Sequence, residues 1–166
     1  LAKNKIDGCN AVQADQSIEE TKFLLDHAAK NSFIKGVVGW VDLCARNVKD
    51  TLEYYTKNPL FKGVRHIVQA EPKGFMLREN FQNGINNLKD FNLTYDILIY
   101  PKQLKEAIDL VKKNPDRWLI ACFLCISVSE FTISAIASTW FNSSLLFSNA
   151  LLVNSPGFAN LNPGLF

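Results

Sequence analysis

The sequence predicts an α/β domain built on a parallel sheet, and three observations carry that prediction. First, two blocks, Gly36-Val-Val-Gly-Trp-Val-Asp-Leu43 and Lys62-Gly-Val-Arg-His-Ile-Val-Gln-Ala-Glu-Pro72, run from a glycine through β-branched residues to polar or aromatic ones. That is the pattern of a parallel strand ending in a site-forming loop. Second, a helix-like stretch separates them, and this alternation occurs four times along the first 117 residues. Third, the chain has 166 residues, 48% of them hydrophobic, which is enough for one domain with a sizeable core.

The first strand is Asn10-Ala-Val-Gln-Ala14. Ser17-Ile-Glu-Glu20 has the capping-box pattern and opens a helix through Phe23, Leu24 and Ala28 to about Lys30. Val37–Leu43 is the second strand. Asn47–Lys57 is a helix with Val48, Leu52 and Tyr55 on one face, and Pro59 stops it. Val64–Val68 is the third strand. Met76–Asn92 holds a helix with Phe81, Ile85, Leu88 and Phe91 at steps of three and four. Thr94–Tyr100 is the fourth strand, and Pro101 suits the first turn of a helix carried by Leu104, Ile108 and Val111. Strand starts lie about 26 to 32 residues apart, as βαβ units require. Such alternation gives a parallel sheet, open or closed as a barrel. No Gly-x-Gly-x-x-Gly and no Walker motif follows a strand, which disfavours an open nucleotide-binding sheet. Four units are half of an eightfold barrel.

Net charge is +2, and no basic run with interleaved aromatics occurs, so nucleic acid is excluded as a partner. The four cysteines are Cys9, Cys44, Cys122 and Cys125. The first two read as reduced core thiols, and the apolar setting of Cys122-Phe-Leu-Cys125 argues against zinc or redox chemistry. No secretory leader opens the chain, and a cytoplasmic protein is expected. The chain begins at Leu1 rather than methionine and reads as a fragment.

Charge divides the chain unevenly. Between Trp118 and Phe166 the only charged residue is Glu130; all 18 basic residues and the other acidic ones precede Trp118. Soluble domains spread charge over their surface. Residues 1–117 are therefore expected to form the domain. Residues 118–166 are expected to be an apolar, atypical tail, with Trp118–Phe123 the part most like a further strand. Three readings of the tail stand: a foreign continuation, which is favoured; a membrane anchor over 118–153; or a buried part of the domain.

Several segments together resemble the amidohydrolase-related family of metal-dependent hydrolases. They are Val12-Gln-Ala14, Glu20-Thr-Lys-Phe-Leu-Leu25, Gly36–Leu43, Lys62–Gln69 with Glu71-Pro72, Tyr95–Ile99, and Gln103-Leu104. The resemblance is to its sugar-lactonase branch, the L-fuconolactonase-like and L-rhamnonolactonase-like enzymes, and covers about residues 9–117. It implies a partial (β/α)8 TIM barrel, these units standing for its second to fifth strands. It implies hydrolysis of a lactone by activated water, with a divalent metal, zinc or manganese, in many members. The His-x-His pair that opens such enzymes has no counterpart here, and neither does the Asp-His followed by Gly-Lys-Pro expected after Pro115-Asp116. The expected metal ligands are largely missing, and the chain by itself is expected to be inactive. The alternative is a non-catalytic sugar-acid-binding or membrane-tethered variant.

The candidate site residues follow. His66 is the catalytic candidate: near the C-terminal end of a barrel strand, an imidazole can bind metal or donate to a lactone oxygen. The competing reading is a satisfied core histidine. Arg65, Gln13 and Trp40 are substrate-binding candidates: Arg65 for bidentate recognition, Gln13 at a strand end, Trp40 as a stacking wall for a sugar. Their structural alternatives are an ion pair, a loop hydrogen bond and a core tryptophan. Arg65 and His66 are neighbours on a strand, so only one can face the barrel axis. Asp96 reads as a paired buried carboxylate. Asp42 and Glu71 read as loop caps or surface ion pairs, and His27 as an exposed helix residue.

Overall fold

The computed structural model describes residues 6–114 and the strand 119–123. Five strands, β1 (Cys9–Val12), β2 (Ile34–Gly39), β3 (Phe61–Ile67), β4 (Thr94–Ile99) and β5 (Leu119–Phe123), make one sheet. Every neighbouring pair is parallel, and the spatial order is β1-β2-β3-β4-β5. A sheet whose spatial order follows the chain, with a helical crossover at each step, winds in one direction only. It therefore curls as part of a barrel, and the expected half-barrel is what the chain forms. β5 lies within the strand expected at Trp118–Phe123. The rest of the tail, and with it the choice among its three readings, lies outside the described residues.

The helices are α1 (Ile18–Lys30), α2 (Val48–Thr56), α3 (Glu79–Asn87) and α4 (Leu104–Lys113). Ser17 caps α1, its Oγ accepting from Glu20 N at 3.2 Å. The other half of the expected capping box is redirected. The Glu20 carboxylate accepts from Ala14 N and Asp15 N, and so ties the end of β1 to the start of α1. The single helix expected over Met76–Asn92 is broken. A 3-10 turn covers Phe75–Leu77, Arg78 is extended, and a second 3-10 turn at Leu88–Phe91 follows α3. Asn83, Gly84, Asn86 and Asn87 make this a weak helix former. Asn92, at φ 54°, ends it in the left-handed conformation. Gly84 has a packing role as well: a Cβ there would run into the backbone of Leu43.

The strand expectations sat too late in the sequence by about three residues at β2 and β3. Trp40 to Leu43 and Val68 to Ala70 lie past the strands, in the connections at their C-terminal ends. The core occupies the helix-covered side of the sheet. There Val37, Val64, Tyr95, Ile97 and Ile99 pack with Leu52, Tyr55, Phe81, Ile85, Leu88 and Leu110 of the helical segments.

Candidate functional site

Strand alternation fixes what each face of the sheet carries. On β3, Val64 and His66 share the helix-packed face, so Gly63, Arg65 and Ile67 take the other. On β4, Tyr95, Ile97 and Ile99 face the helices, so Thr94, Asp96 and Leu98 take the other. A Cβ built on Gly63 would meet Thr94 Oγ1, which confirms that these two residues share a face. The inner face of the half-barrel thus carries Arg65 and Asp96 side by side, as direct register partners.

Arg65 Nη2 donates to Asp96 Oδ2 at 3.0 Å, with the two side chains 14% and 5% exposed. Burial pushes the Asp96 carboxyl above its ordinary range, and the neighbouring guanidinium only partly opposes that. Asp96 Oδ1 has no hydrogen-bond partner among the described residues. Gln13, also buried, donates from Nε2 to the backbone oxygen of Arg65 at 3.1 Å, while its Oε1 has no described partner. Gln16 adds a second tie, its Oε1 accepting from Ile67 N at 2.8 Å.

These two glutamines do a strand's work. The last register pair between β2 and β3 is Gly39 with Val64. Residues 65–67 keep partners in β4 but have none in β2. The loop after β1 fills that gap with two side-chain amides, bonded to backbone groups two residues apart. The C-terminal end of β3 is therefore held open between strands, at the end of the sheet where barrel enzymes bind substrate.

His66 keeps different company from that of a free catalytic base. Trp40, the first residue past β2, brings its Nε1 to 3.4 Å from His66 Nδ1. Glu71, in the turn after β3, brings Oε1 to 2.9 Å from His66 Nε2. The ring stacks on Phe75, with centroids 4.8 Å apart and planes 19° apart, and meets Phe81 edge-on. Both nitrogens and one flat face of the ring are thus engaged within the helix-packed layer. Gln13 and Arg65 come together directly, and Trp40 and His66 come together as a second group. The backbone of β3 joins the two groups, because Arg65 and His66 are consecutive.

Asp96 pairs as its mid-strand position suggested. Asp42 caps its own loop, with Oδ1 accepting from Cys44 N at 2.8 Å. His27 is exposed on α1, edge-on to Phe23. Gln16 and the His66 partnership of Glu71 escaped the sequence reading. The signal for Gln16 was weak: a second glutamine three residues after Gln13, in the same loop.

Among the described residues, no group of three or more His, Cys, Asp or Glu side chains could hold a metal ion. The donors closest to the inner face do not fit one either, since Asp96 is committed to Arg65. Among the described residues, no helix is long and apolar enough to cross a membrane.

No family model matches the chain. Two curated L-fucono-1,5-lactonases do. The one from Burkholderia ambifaria is 27% identical over 116 residues, covering 69% of this chain and 40% of the relative. The one from Burkholderia multivorans is 31% identical over 112 residues, covering 66% and 38%. An amidohydrolase from Burkholderia multivorans, solved with bound zinc, superposes with a TM-score of 0.68 at 28% identity, covering 72% of this chain and 43% of that one. A second crystal form of an amidohydrolase from that organism, with bound HEPES, gives 0.67. The chain spans about two fifths of the length of the curated relatives it matches. Sequence and fold agree on a partial match to a lactonase-like amidohydrolase.

Proposed function

We propose that this chain is part of a hydrolase that opens a lactone, a cyclic ester derived from a sugar, by attack of an activated water. The observation that carries the reading is the match to two curated lactonases over 116 and 112 residues, with an amidohydrolase structure superposing on 72% of the chain. Within it, Arg65 and Gln13 bind substrate at the inner face. The Arg65 guanidinium is aimed by Asp96, and the unpartnered acceptors Gln13 Oε1 and Asp96 Oδ1 suit the hydroxyl donors of a sugar ring. Trp40, bonded to His66 just past β2, supplies an aromatic wall at the same end of the sheet. A zinc or manganese ion, as in the resembled family, would polarise the ester carbonyl and lower the pKa of the attacking water. The described residues hold no assembled site for it. β5 belongs to the half-barrel, the tail beyond Phe123 lies outside the barrel domain, and the partner is a small molecule.

The test is a titration of the purified chain with sugar lactones and the corresponding sugar acids, followed by NMR. Binding is expected, with no turnover above the background rate of ring opening. Arg65→Met should abolish the binding while Lys49→Met, on the outer surface, leaves it unchanged. Absence of binding by any sugar lactone or acid would overturn the recognition role, as would binding indifferent to Arg65→Met. Turnover that a chelator abolishes would show that the chain assembles a metal site after all.

A further inference from the structure

The arrangement around His66 fixes where its proton sits. An indole N–H can only donate, so His66 Nδ1, facing Trp40 Nε1 at 3.4 Å, must be the acceptor. The remaining proton is then on Nε2, which donates to Glu71 Oε1 at 2.9 Å. The ring is held as one neutral tautomer between a donor from the end of β2 and an acceptor from the turn after β3. Phe75 on its flat side and Phe81 at its edge remove the freedom to flip. An imidazolium has no acceptor. When Nδ1 takes a proton from solvent, the bond to Trp40 is lost and becomes a clash of two N–H groups, while the contact with Glu71 turns into an ion pair.

We infer that His66 is a positioning residue: a neutral hydrogen-bond latch that holds the Trp40 indole against the turn bearing Glu71 and releases it on protonation. The inference deepens the proposed function, because it assigns the expected role of His66 to orienting the Trp40 wall rather than to touching substrate. Among the described residues, the charged and titratable groups around the imidazole are these. Glu71 is its acidic neighbour. Arg78 lies across the ring of Phe75, 5.0 Å from its centroid, on the element that stacks on His66. β4 presents Ile97 at the register position of His66. In the loop after β2, the half-buried Cys44 thiol is raised by burial and then by Asp42, and it feels Arg78 and Glu71 as well. Arg65 and Asp96 lie on the other face of the sheet.

The experiment follows the Trp40 indole N–H in the 15N-labelled full chain from pH 8 to pH 5, the range in which histidines titrate. The signal is assigned by its loss in Trp40→Phe. No ligand is present, so failure to bind sugar lactones would leave this result untouched, and failure here would leave the binding result untouched. The indole signal should shift as pH falls, and its protection from exchange, taken relative to a free indole at the same pH, should drop about fivefold or more, as loss of one hydrogen bond implies. His66→Gln, whose amide oxygen can accept from the indole at every pH, should keep the bonded position of the signal and abolish its pH response. A Trp40 signal that ignores pH overturns the latch. So does a response that persists in His66→Gln.

Discussion

The two faces of the sheet are built from the same strands and obey opposite rules. The helix-packed face is apolar and closed: Val37, Val64, Ile99, Phe81 and Ile85 have no exposed surface. The inner face carries an arginine, an aspartate and a glutamine amide in its most covered part, and two of their acceptors have no described partner. Burying polar groups with spare valence costs stability, so such groups persist in a core only when something other than packing selects them. The comparison places the apolar packing on one face and the buried polar groups on the other. His66 complicates the division usefully, because it is a polar residue on the stabilising face, fully engaged by Trp40, Glu71 and Phe75.

The largest effect should come from the closed face. Phe81 touches the rings of His66, Phe75 and Tyr95 and is fully buried. Phe81→Ala should cost about 3–5 kcal/mol in a denaturant titration, a large share of what holds a domain together. Phe81→Leu should cost clearly less, since it retains most of the apolar volume. Equal losses from the two would mean that the site collapses around any substitution and that the aromatic cluster contributes little of its own.

The Arg65–Asp96 pair tests the other face. Asp96→Ala takes the carboxylate from a mostly buried guanidinium, with a cost of about 2–3 kcal/mol, below the full penalty because Arg65 keeps other interactions and some contact with water. The exposed pair Lys49–Asp90 is the control, worth less than about 1 kcal/mol. The pH dependence has a definite sign. Burial raises the Asp96 pKa in the folded state, so the folded chain holds that proton more tightly than the unfolded chain does. The contribution of this carboxyl to stability is therefore greatest at low pH, and it declines as pH rises from the ordinary carboxylate range through the raised value. Stability of the native chain minus that of Asp96→Asn should fall over that interval. A difference that rises with pH would show that Arg65 outweighs burial.

What the sequence disclosed follows from what local patterns encode. The β-branched runs and helical spacing of residues 10–113 named four strands and four helical segments, because those periods reflect which side chains meet the core. Strand ends were misplaced because Trp40–Leu43 is as apolar as β2 itself, and only the tertiary turn shows that the ladder stops at Gly39. The helix at 76–92 was read whole because Phe81, Ile85, Leu88 and Phe91 keep their spacing across a 3-10 turn. Arg65 and Gln13 were legible as site candidates. Their mutual contact was not, since it joins residues 52 positions apart across an intervening strand. His66 was legible as unusual, yet whether its nitrogens are free depends on two partners, Trp40 and Glu71, that approach from different connections.

The smallest predicted effect probes the gap past Gly39 that two glutamine side chains fill. Gln13 and Gln16 bond Arg65 O and Ile67 N in place of a β2 residue. Gln13→Ala removes one donor and leaves a carbonyl at the covered end of β3 to find another, a cost of about 1–2 kcal/mol. Gln16→Ala should cost less, because Gln16 is half-buried and water can replace it at Ile67 N. The two amides bond neighbouring rungs of one strand, so the double variant should depart from additivity. Once one tie is gone, the end of β3 is looser and the other holds less. If the glutamines serve only to satisfy stray backbone groups, the double variant should cost the plain sum of the singles and leave sugar-lactone binding intact in the molecules that remain folded. If they set the opening beside Arg65, binding should weaken in Gln13→Ala even under conditions where the chain is fully folded. Measuring folding and binding on the same three variants separates a patch in the ladder from a built entrance to the site.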